Sequence, residues 1–511
     1  MNDGPGFVPV VIVGAGPVGV ITATLLAQYG VDCLVLDRWA NVYPQPRAVH
    51  LDDEICRIVA RLGIGEEFAA ISRPARGLQL RDPKLRVLAE FRRERPQTSN
   101  GYPQANMFDQ PEFESLLRSN LTHFPRAVLR GDSEVTDIVQ VGPGRVQVGF
   151  IDRAGGQEHH VETTYLLGCD GANSMVRAQI GAFMRDLKFD QRWLVVDVAT
   201  DAELNQWDGV HQVCDPRRAG TYMRIGPSRY RWEFRLLPDE TVDSFGTVAE
   251  LYPLIQPWVD GIAPADVQLV RVTEYTFRAQ IADRWRRDNV FLLGDAAHLT
   301  PPFIGQGLCA GVRDAMNLSW KLAGVINGWL PQGVLDSYEQ ERKPHARYMI
   351  RFALAVGRVM TAGGEAGNVL RRAVVPWLHL IPGVRRKVVD STTPALSDSA
   401  LVVRNRRRRG LAGRLCPNPI LDGDQRFDDV VGPRFAVVTS VPLSGQQRGE
   451  LAYRGSVAVA AESDSELAHW LQRGHASAAV VRPDGTVMCA GRDIAEICER
   501  VPGFASRLAD A

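Results

Sequence analysis

The sequence predicts an α/β protein: a Rossmann-like dinucleotide-binding domain interrupted by an antiparallel-sheet domain, followed by a further α/β domain at the C-terminal end. Three observations predict it. The stretch from Val10 to Asp37 reads strand, glycine turn, helix, strand, acid. Two later apolar runs, Val161–Leu167 and Asn289–Leu293, end in the short acidic glycine loops Gly168-Cys169-Asp170-Gly171 and Gly294-Asp295. Between them, Arg192–Phe277 alternates apolar and polar residues and is rich in aromatics, the pattern of an antiparallel sheet and not of another βαβ unit.

Val10-Val11-Ile12-Val13 runs into Gly14-Ala15-Gly16-Pro17-Val18-Gly19. Gly14 lets the chain turn sharply out of the strand, Gly16 leaves room for a pyrophosphate against the backbone, and Gly19 lets the helix lie close to the sheet. The helix then offers its free N–H groups and positive dipole end to phosphates. Val18, Ile21, Thr22, Leu25, Leu26 and Tyr29 recur at helical spacing and Gly30 supplies the stop. Cys33–Leu36 is the second strand, and Asp37 closes it at about the ~20-residue distance where a carboxylate accepts from ribose hydroxyls. This unit binds a dinucleotide, with NAD(P) and FAD both open at this point.

After Arg38 comes a proline-punctuated loop, Tyr43–Ala48. Its Arg47 is either a solvated charge or a clamp on a phosphate or flavin edge. A helix from Asp52 to Leu62 carries its acids at the N-terminal end, as the dipole prefers. Leu78–Phe91 alternates as a hairpin with Asp82-Pro83 near the turn, and Gln110 opens a helix with Pro111 and Glu112 in its first turn. Arg145–Ile151 and Val161–Leu167 are strands about a Gly155-Gly156 turn, which puts Asp170 on the ligand side of the sheet. Beyond Gly294-Asp295-Ala296-Ala297-His298 lie Pro301-Pro302, Gly305-Gln306-Gly307 and a long helix through Ala315, Leu318, Leu322 and Ile326. Tyr338–Val359 continues helical, Arg406–Arg409 is a solvated linker, and Phe435–Thr439, Val457–Ala460 and Ala478–Arg482 are strands. The boundaries drawn are 1–77, 106–185 and 281–400 for the dinucleotide-binding part with its helical region, 78–105 and 186–280 for the substrate domain, and 410–511 for the C-terminal domain.

Bulk properties narrow the function. Lys plus Arg equals Asp plus Glu at 59 each, so nothing draws the chain to nucleic acid or an anionic membrane. The eight cysteines are scattered without a CxxC pair and read as buried thiols of a reducing compartment, with no metal site. The N-terminus enters its first strand at once, leaving no room for a signal peptide. The most apolar late stretch, Ala373–Val384, is broken by His379 and Pro382 and falls short of the ~20 residues of a membrane span. A cytoplasmic protein with no integral membrane association is expected.

Gly14–Gly19 with Asp37-Arg38, then Asp170-Gly171, then Gly294-Asp295 with Pro302 and Gly305-Gln306-Gly307, resemble the three fingerprints of the FAD-dependent aromatic hydroxylases. The phrases Arg47-Ala48 with Asp52-Asp53-Glu54, Cys214-Asp215-Pro216, and Arg313-Asp314-Ala315 with Asn317-Leu318 are most similar to the 3-(3-hydroxyphenyl)propionate hydroxylase branch. The resemblance, which runs nearly end to end, implies bound FAD. Asp295 would accept from ribityl hydroxyls, and the backbone of Gly305 to Leu308 would face the flavin's pyrimidine edge. It further implies FAD contacts from Arg47 and Gln110, and a role for Asp170 toward both FAD and a transient NADH or NADPH. Cys309 stands where relatives usually have Asn, which leaves the backbone contact intact and the side-chain one in question. His298 belongs to the fingerprint as a structural residue. The C-terminal segment, with Arg482-Pro483-Asp484-Gly485, resembles the thioredoxin-like appendage of this branch; lacking CxxC, it is assigned to packing or to the contact of a homodimer.

The implied activity is that of an FAD-dependent monooxygenase, which uses NAD(P)H and O2 to hydroxylate a small phenolic aromatic through a flavin hydroperoxide. The candidate substrate is 3-(3-hydroxyphenyl)propionate-like. A phenol's proton needs an acceptor, so the antiparallel sheet should supply one; His211 and Tyr222 are the candidates, with Arg224 for a substrate carboxylate. Two rivals stay open: a tailoring hydroxylase or epoxidase of a polyketide-like or antibiotic aromatic, and a catalytically idle FAD-binding scaffold.

Overall fold

The computed structural model describes residues 6–44, 48–93, 95–215, 217–361, 369, 393–404 and 410–504. Arg47, Pro216, Ala373–Val384 and Arg406–Arg409 lie outside the described residues.

The chain's most apolar strands form the centre of the first sheet. Phe7–Val13 is flanked in parallel by Glu158–Gly168 and Cys33–Leu36, and Val290–Leu292 and Ala127–Arg130 extend the parallel set on either side. Val10, Val11, Ile12, Val35, Leu166, Leu167 and Phe291 are fully buried, as strands covered on both faces must be. The order of these strands places the N-terminal strand between its immediate successor, Cys33–Leu36, and one that arrives much later, Glu158–Gly168. The C-terminal ends of Phe7–Val13, Glu158–Gly168 and Val290–Leu292 therefore lie side by side, with Leu292 level with Gly168 and Gly168 level with Val13. The glycine turn and the two acidic glycine loops leave from this one edge.

The alternating middle of the sequence forms a second, largely antiparallel eight-stranded sheet. Its order is His298-Leu299, Gln268–Ala282, Met184–Ala199, Arg229–Arg235, Gly220–Arg224, Val210–Val213, Gly77–Arg81 and Val87–Arg92. The hairpin near Asp82-Pro83 thus joins this sheet, through a parallel pairing of Val210–Val213 with Gly77–Arg81. A small three-stranded sheet that the sequence does not announce, His50–Asp52, Ala105–Phe108 and Ser72–Pro74, bridges the two.

Residues Ala436–Thr439, Val457–Ala460, Ala478–Val481 and Val487–Gly491 make a four-stranded mixed sheet with its own core of Phe427, Val438, Leu467 and Trp470. Buried charge joins it to the rest. Arg482 and Lys321 share the Glu341 carboxylate at 2.9 and 2.8 Å, all three without solvent contact, and Arg57 clasps Asp428 at 2.6 Å. Such pairs hold position more than they stabilise, and removing one partner leaves the other charged and buried.

Candidate active site

The glycine turn is built as the residue types require. Gly14 has φ +102°, and a side chain there would press 2.4 Å from the Cys169 carbonyl oxygen. A methyl on Gly19 would lie 1.9 Å from the Gly14 oxygen, whereas a methyl on Gly16 would meet nothing within 4 Å. Gly14 and Gly19 thus serve close approach within the protein, and Gly16 faces open space. Gly16 caps the helix Pro17–Gln28 without a side-chain bond, which leaves the first N–H groups for a ligand. Asp37 sits at the strand end, where its carboxylate accepts from the Ala15 N–H at 2.6 Å and the Trp39 N–H at 2.8 Å. The exposed Arg38 lays its guanidinium over Trp39.

The other two fingerprints meet the first at the same sheet edge. Cys169 and Gly171 line the cavity described below, while the Asp170 carboxylate turns to the short helix Met175–Gln179, accepting from Ser174 at 2.5 Å and the Val176 N–H at 3.0 Å. Burial raises its pKa. Gly294 and Asp295 line the cavity, and the Gly294 N–H donates to Asp314 at 3.1 Å. Asp314 also holds His298 at 2.8 Å and Arg342 at 2.8 Å, with none of the three groups more than 2 % exposed. Burial acts to raise the Asp314 carboxyl, and Arg342 with His298 outweighs it, so the group lies below the usual carboxylate range. His298 is a strut beneath the loop.

Pro302, Gly305, Gly307 and Leu308 line the cavity at the start of the helix Gly307–Ile326, whose first turn has no side-chain cap. Gln306 and Cys309 point the other way. Gln306 donates to Asp52 at 2.9 Å and accepts from Arg313 at 2.9 Å; Arg313 in turn pairs with Asp52 at 2.6 Å and Glu54 at 2.7 Å. The Cys309 thiol is fully buried beneath the turn, 3.7 Å from the His50 and Gly305 carbonyl oxygens. These two side chains brace the turn, and only its backbone is offered to a ligand. Gln110 does both: it lines the cavity while accepting from the Ala48 N–H at 2.6 Å.

One cavity of about 340 Å³ runs from Gly16-Pro17-Val18 past Gly294-Asp295 and the Gly305–Leu308 turn to the second sheet, where Trp193, Tyr275 and Phe277 stand in its wall. That wall does not include the expected catalytic residues. Side chains alternate across a strand, and the cavity takes Val210, Gln212, Thr221 and Met223; His211, Tyr222 and Arg224 belong to the opposite face. His211 is sealed in an aromatic cluster, its Nε2 donating to the Trp207 carbonyl at 3.1 Å and its Nδ1 accepting from Trp258 at 3.2 Å. Burial and Arg81 push its pKa down to about 3. Tyr222 packs 4.8 Å from His211 and 5.2 Å from Trp232, 2 % exposed. Arg224 pairs with Glu203 at 3.2 Å. None of the three lines the cavity.

The cavity instead holds polar residues that the sequence reading did not single out: His50, Arg93, Glu233 and Arg271. Residue-by-residue register across the sheet is the signal that finds Glu233, because it lies on the same row as Thr221 and Gln212. His50 sits beneath Gly305, Nδ1 3.4 Å from its carbonyl oxygen, and burial with Arg93 lowers its pKa to about 4.

Comparison with known proteins agrees with this geometry. The family model described as "FAD binding domain" matches residues 7–353. A probable NADH-specific resorcinol 4-hydroxylase of Rhodococcus jostii (strain RHA1) is 32% identical over 96% of this chain and 93% of that protein. A 3-(3-hydroxy-phenyl)propionate/3-hydroxycinnamic acid hydroxylase of Burkholderia cenocepacia (strain HI2424) is 32% identical over 93% of this chain and 92% of its own length. Among solved structures, a ternary complex of aklavinone-11 hydroxylase with FAD and aklavinone superposes with a TM-score of 0.80 at 24% identity, covering 99% of this chain and all of that one. The chain therefore belongs to the FAD-binding family that this model describes.

Proposed function

We propose that this FAD-binding family member is a monooxygenase that uses NAD(P)H and O2 to hydroxylate a small phenolic aromatic. The observation that carries the reading is the single cavity, which joins a glycine turn open at Gly16 to an uncapped helix start at Gly307 and then to an aromatic wall. Those parts fit FAD. Gly16 and the first turn of Pro17–Gln28 would take the pyrophosphate, Asp37 the ribose, Asp295 the ribityl chain, and the backbone of Gly305–Leu308 the flavin edge, with Gln110 and Arg38 at the margins; the family resemblance adds Arg47 as an FAD contact. When bound, FAD accepts a hydride from NAD(P)H and activates O2. The chain's own work is to hold the ring against Trp193, Tyr275 and Phe277, to exclude water, and to take the phenol's proton.

Relatives named for resorcinol and 3-(3-hydroxyphenyl)propionate favour a simple phenol over a polyketide-sized aromatic, and their enzymatic names disfavour an idle scaffold. The C-terminal unit is assigned a thioredoxin-like fold: its parallel pair Ala436–Thr439 and Val457–Ala460 flanks the helix Gly445–Tyr453, and an antiparallel pair follows. Its role is packing, with a homodimer as the assembly to look for by size-exclusion chromatography. A cytoplasmic setting suits the chain's eight cysteines, which form no disulfide among the described residues. Among the described residues no helix is long and apolar enough to cross a membrane.

The test is to incubate the FAD-loaded protein with NADH or NADPH and a panel of phenols and identify products by mass spectrometry. A hydroxylated product with stoichiometric nicotinamide oxidation is expected; no aromatic accelerating that oxidation would overturn the reading.

A further inference from the structure

We propose that Glu233 accepts the phenolic proton of the bound substrate. This rests on the hydroxylase reading above and names the proton acceptor that reading requires. Across the second sheet, Val195, Glu233, Thr221 and Gln212 form one cross-strand row, paired in that order. All four side chains line the cavity. Two members satisfy each other: Thr221 Oγ1 donates to Gln212 Oε1 at 3.0 Å, and Gln212 Nε2 donates to the Gly220 carbonyl at 3.1 Å. Glu233 differs. Its side chain is about nine-tenths buried, and among the described residues its carboxylate has neither hydrogen bond nor ion pair.

A buried carboxylate without a donor is costly, and a phenol O–H in the cavity would supply that donor. The cation nearest in sequence is already committed. Arg231, on the same face of the same strand, is held by Asp197 through bonds of 2.6 and 2.9 Å. The groups facing Glu233 are this Arg231–Asp197 pair and Arg271 from the strand Gln268–Ala282. Burial, the largest influence, raises the Glu233 pKa, Asp197 adds to the rise, and Arg231 and Arg271 offset part of it. A carboxylate moved upward is a better base near neutral pH than an ordinary one. Two other cavity residues could take a proton: Asp295 belongs to the loop assigned to the ribityl chain, and His50 is a weaker base. Its pKa is pushed down to about 4 by burial and Arg93.

The step balances within the proposed overall reaction: Ar–H, O2, NAD(P)H and a proton give Ar–OH, water and NAD(P)+. As the ring carbon gains its oxygen, electron density flows from the phenolic oxygen into the ring, and the O–H proton passes to the Glu233 carboxylate. The ring C–H proton lost on rearomatisation returns the phenol to its neutral state, and Glu233 releases its proton to solvent.

The test compares the FAD-loaded wild type with Glu233→Gln, which keeps the shape and removes the base, and Glu233→Asp, which keeps the base. FAD content and thermal midpoint report folding. In Glu233→Gln, phenol-stimulated NAD(P)H oxidation should fall about 100-fold, the low end for loss of a general base, and the acidic limb of its pH profile should vanish; Glu233→Asp should restore part of both. Turnover within threefold of wild type with an unchanged limb would overturn the proposal. A second arm needs no turnover: 4-nitrophenol, whose absorbance reports ionisation, is titrated into each protein. Beside an ionised Glu233 it should bind as the neutral phenol, and the Gln variant should shift it toward phenolate. Identical spectra, or no binding to the wild type, would overturn the proposal. If no phenol stimulates the wild type, the hydroxylase reading fails on its own while this arm still decides the contact.

Discussion

Gly16→Ala separates what the glycine turn does for the fold from what it does for the ligand. A methyl built on Gly16 meets no protein atom within 4 Å, and its φ of −69° and ψ of 177° suit any L-residue. In the apoprotein the change should therefore stabilise by about 0.4–1 kcal/mol through the unfolded chain, a rise of roughly 2 °C or less for a chain of this size. With FAD the same methyl occupies the space where the pyrophosphate would touch backbone, so affinity should fall by about 1.4 kcal/mol or more, at least tenfold. Gly19→Ala is the contrast. Its methyl would lie 1.9 Å from the Gly14 carbonyl oxygen, a backbone atom that cannot swing aside, so it should cost roughly 1–3 kcal/mol or more as overpacking, with or without FAD. Flavin fluorescence titration gives the affinities, and thermal unfolding of the apo and loaded forms gives the stabilities. A Gly16→Ala protein that binds FAD as the wild type does, or whose apo form melts several degrees lower, would refute the assignment.

Three further outcomes follow from the packing. Tyr222→Phe alters the face turned away from the cavity and should leave the ratio of product to NAD(P)H consumed unchanged; increased peroxide release would return Tyr222 to the site. Arg482→Met leaves Asp484 without its cation and Glu341 with Lys321 alone, so unfolding should be easier by about 3–5 kcal/mol while the folded protein still binds FAD one to one; an unchanged melting midpoint would contradict this. Acid should destabilise the protein early, because His50, His211 and His345 all have folded pKa values depressed below 6.5 by burial. The folded state then binds fewer protons than the unfolded one, so their stabilisation is complete above pH 6.5 and is lost as pH falls toward 4. For His50 the loss at pH 5 is about 2 kcal/mol at most, from ~1.5 units at 1.36 kcal/mol each. Asp53, raised by burial to about 6, and Asp170 and Glu233, also raised by burial, work in the opposite direction and offset part of this loss. A midpoint that is flat from pH 7 to 5 would refute the balance.

The parts that sequence made legible are those whose residue type is dictated locally. Gly14 and Gly19 each answer a backbone need within a few residues, Gly16 leaves open space beside the helix start, and the structure distinguishes their roles by what a methyl would strike. The apolar runs that flank them are buried strands, as their composition requires. Asp52 and Arg313 stand far apart in the chain, and two separate phrases of the sequence turn out to be one ion pair of 2.6 Å that seats the Gly305–Leu308 turn on the helix Asp53–Arg61. Gln306 and Cys309 belong to the same recognisable stretch yet turn their side chains inward. A motif marks where the backbone must go, and some of its side chains serve only to keep it there.

The substrate wall was not legible for a different reason. In a strand buried on both faces, hydrophobic alternation no longer tells inside from outside: Tyr222, Tyr230 and Trp232 form a core on one side of the sheet as dense as the cavity wall on the other. A shift of one residue exchanges the two faces, and that shift separates His211 and Tyr222 from Gln212 and Thr221. The facing is decided by the helix Val248–Ile255 and by Trp258, which cover the aromatic side, and by the first sheet's loops, which leave the other side open. Composition favours His and Tyr as proton acceptors, but tertiary packing takes both of them for the core. The acceptor is then to be sought among residues whose polarity the core would not tolerate, and in this row that residue is Glu233.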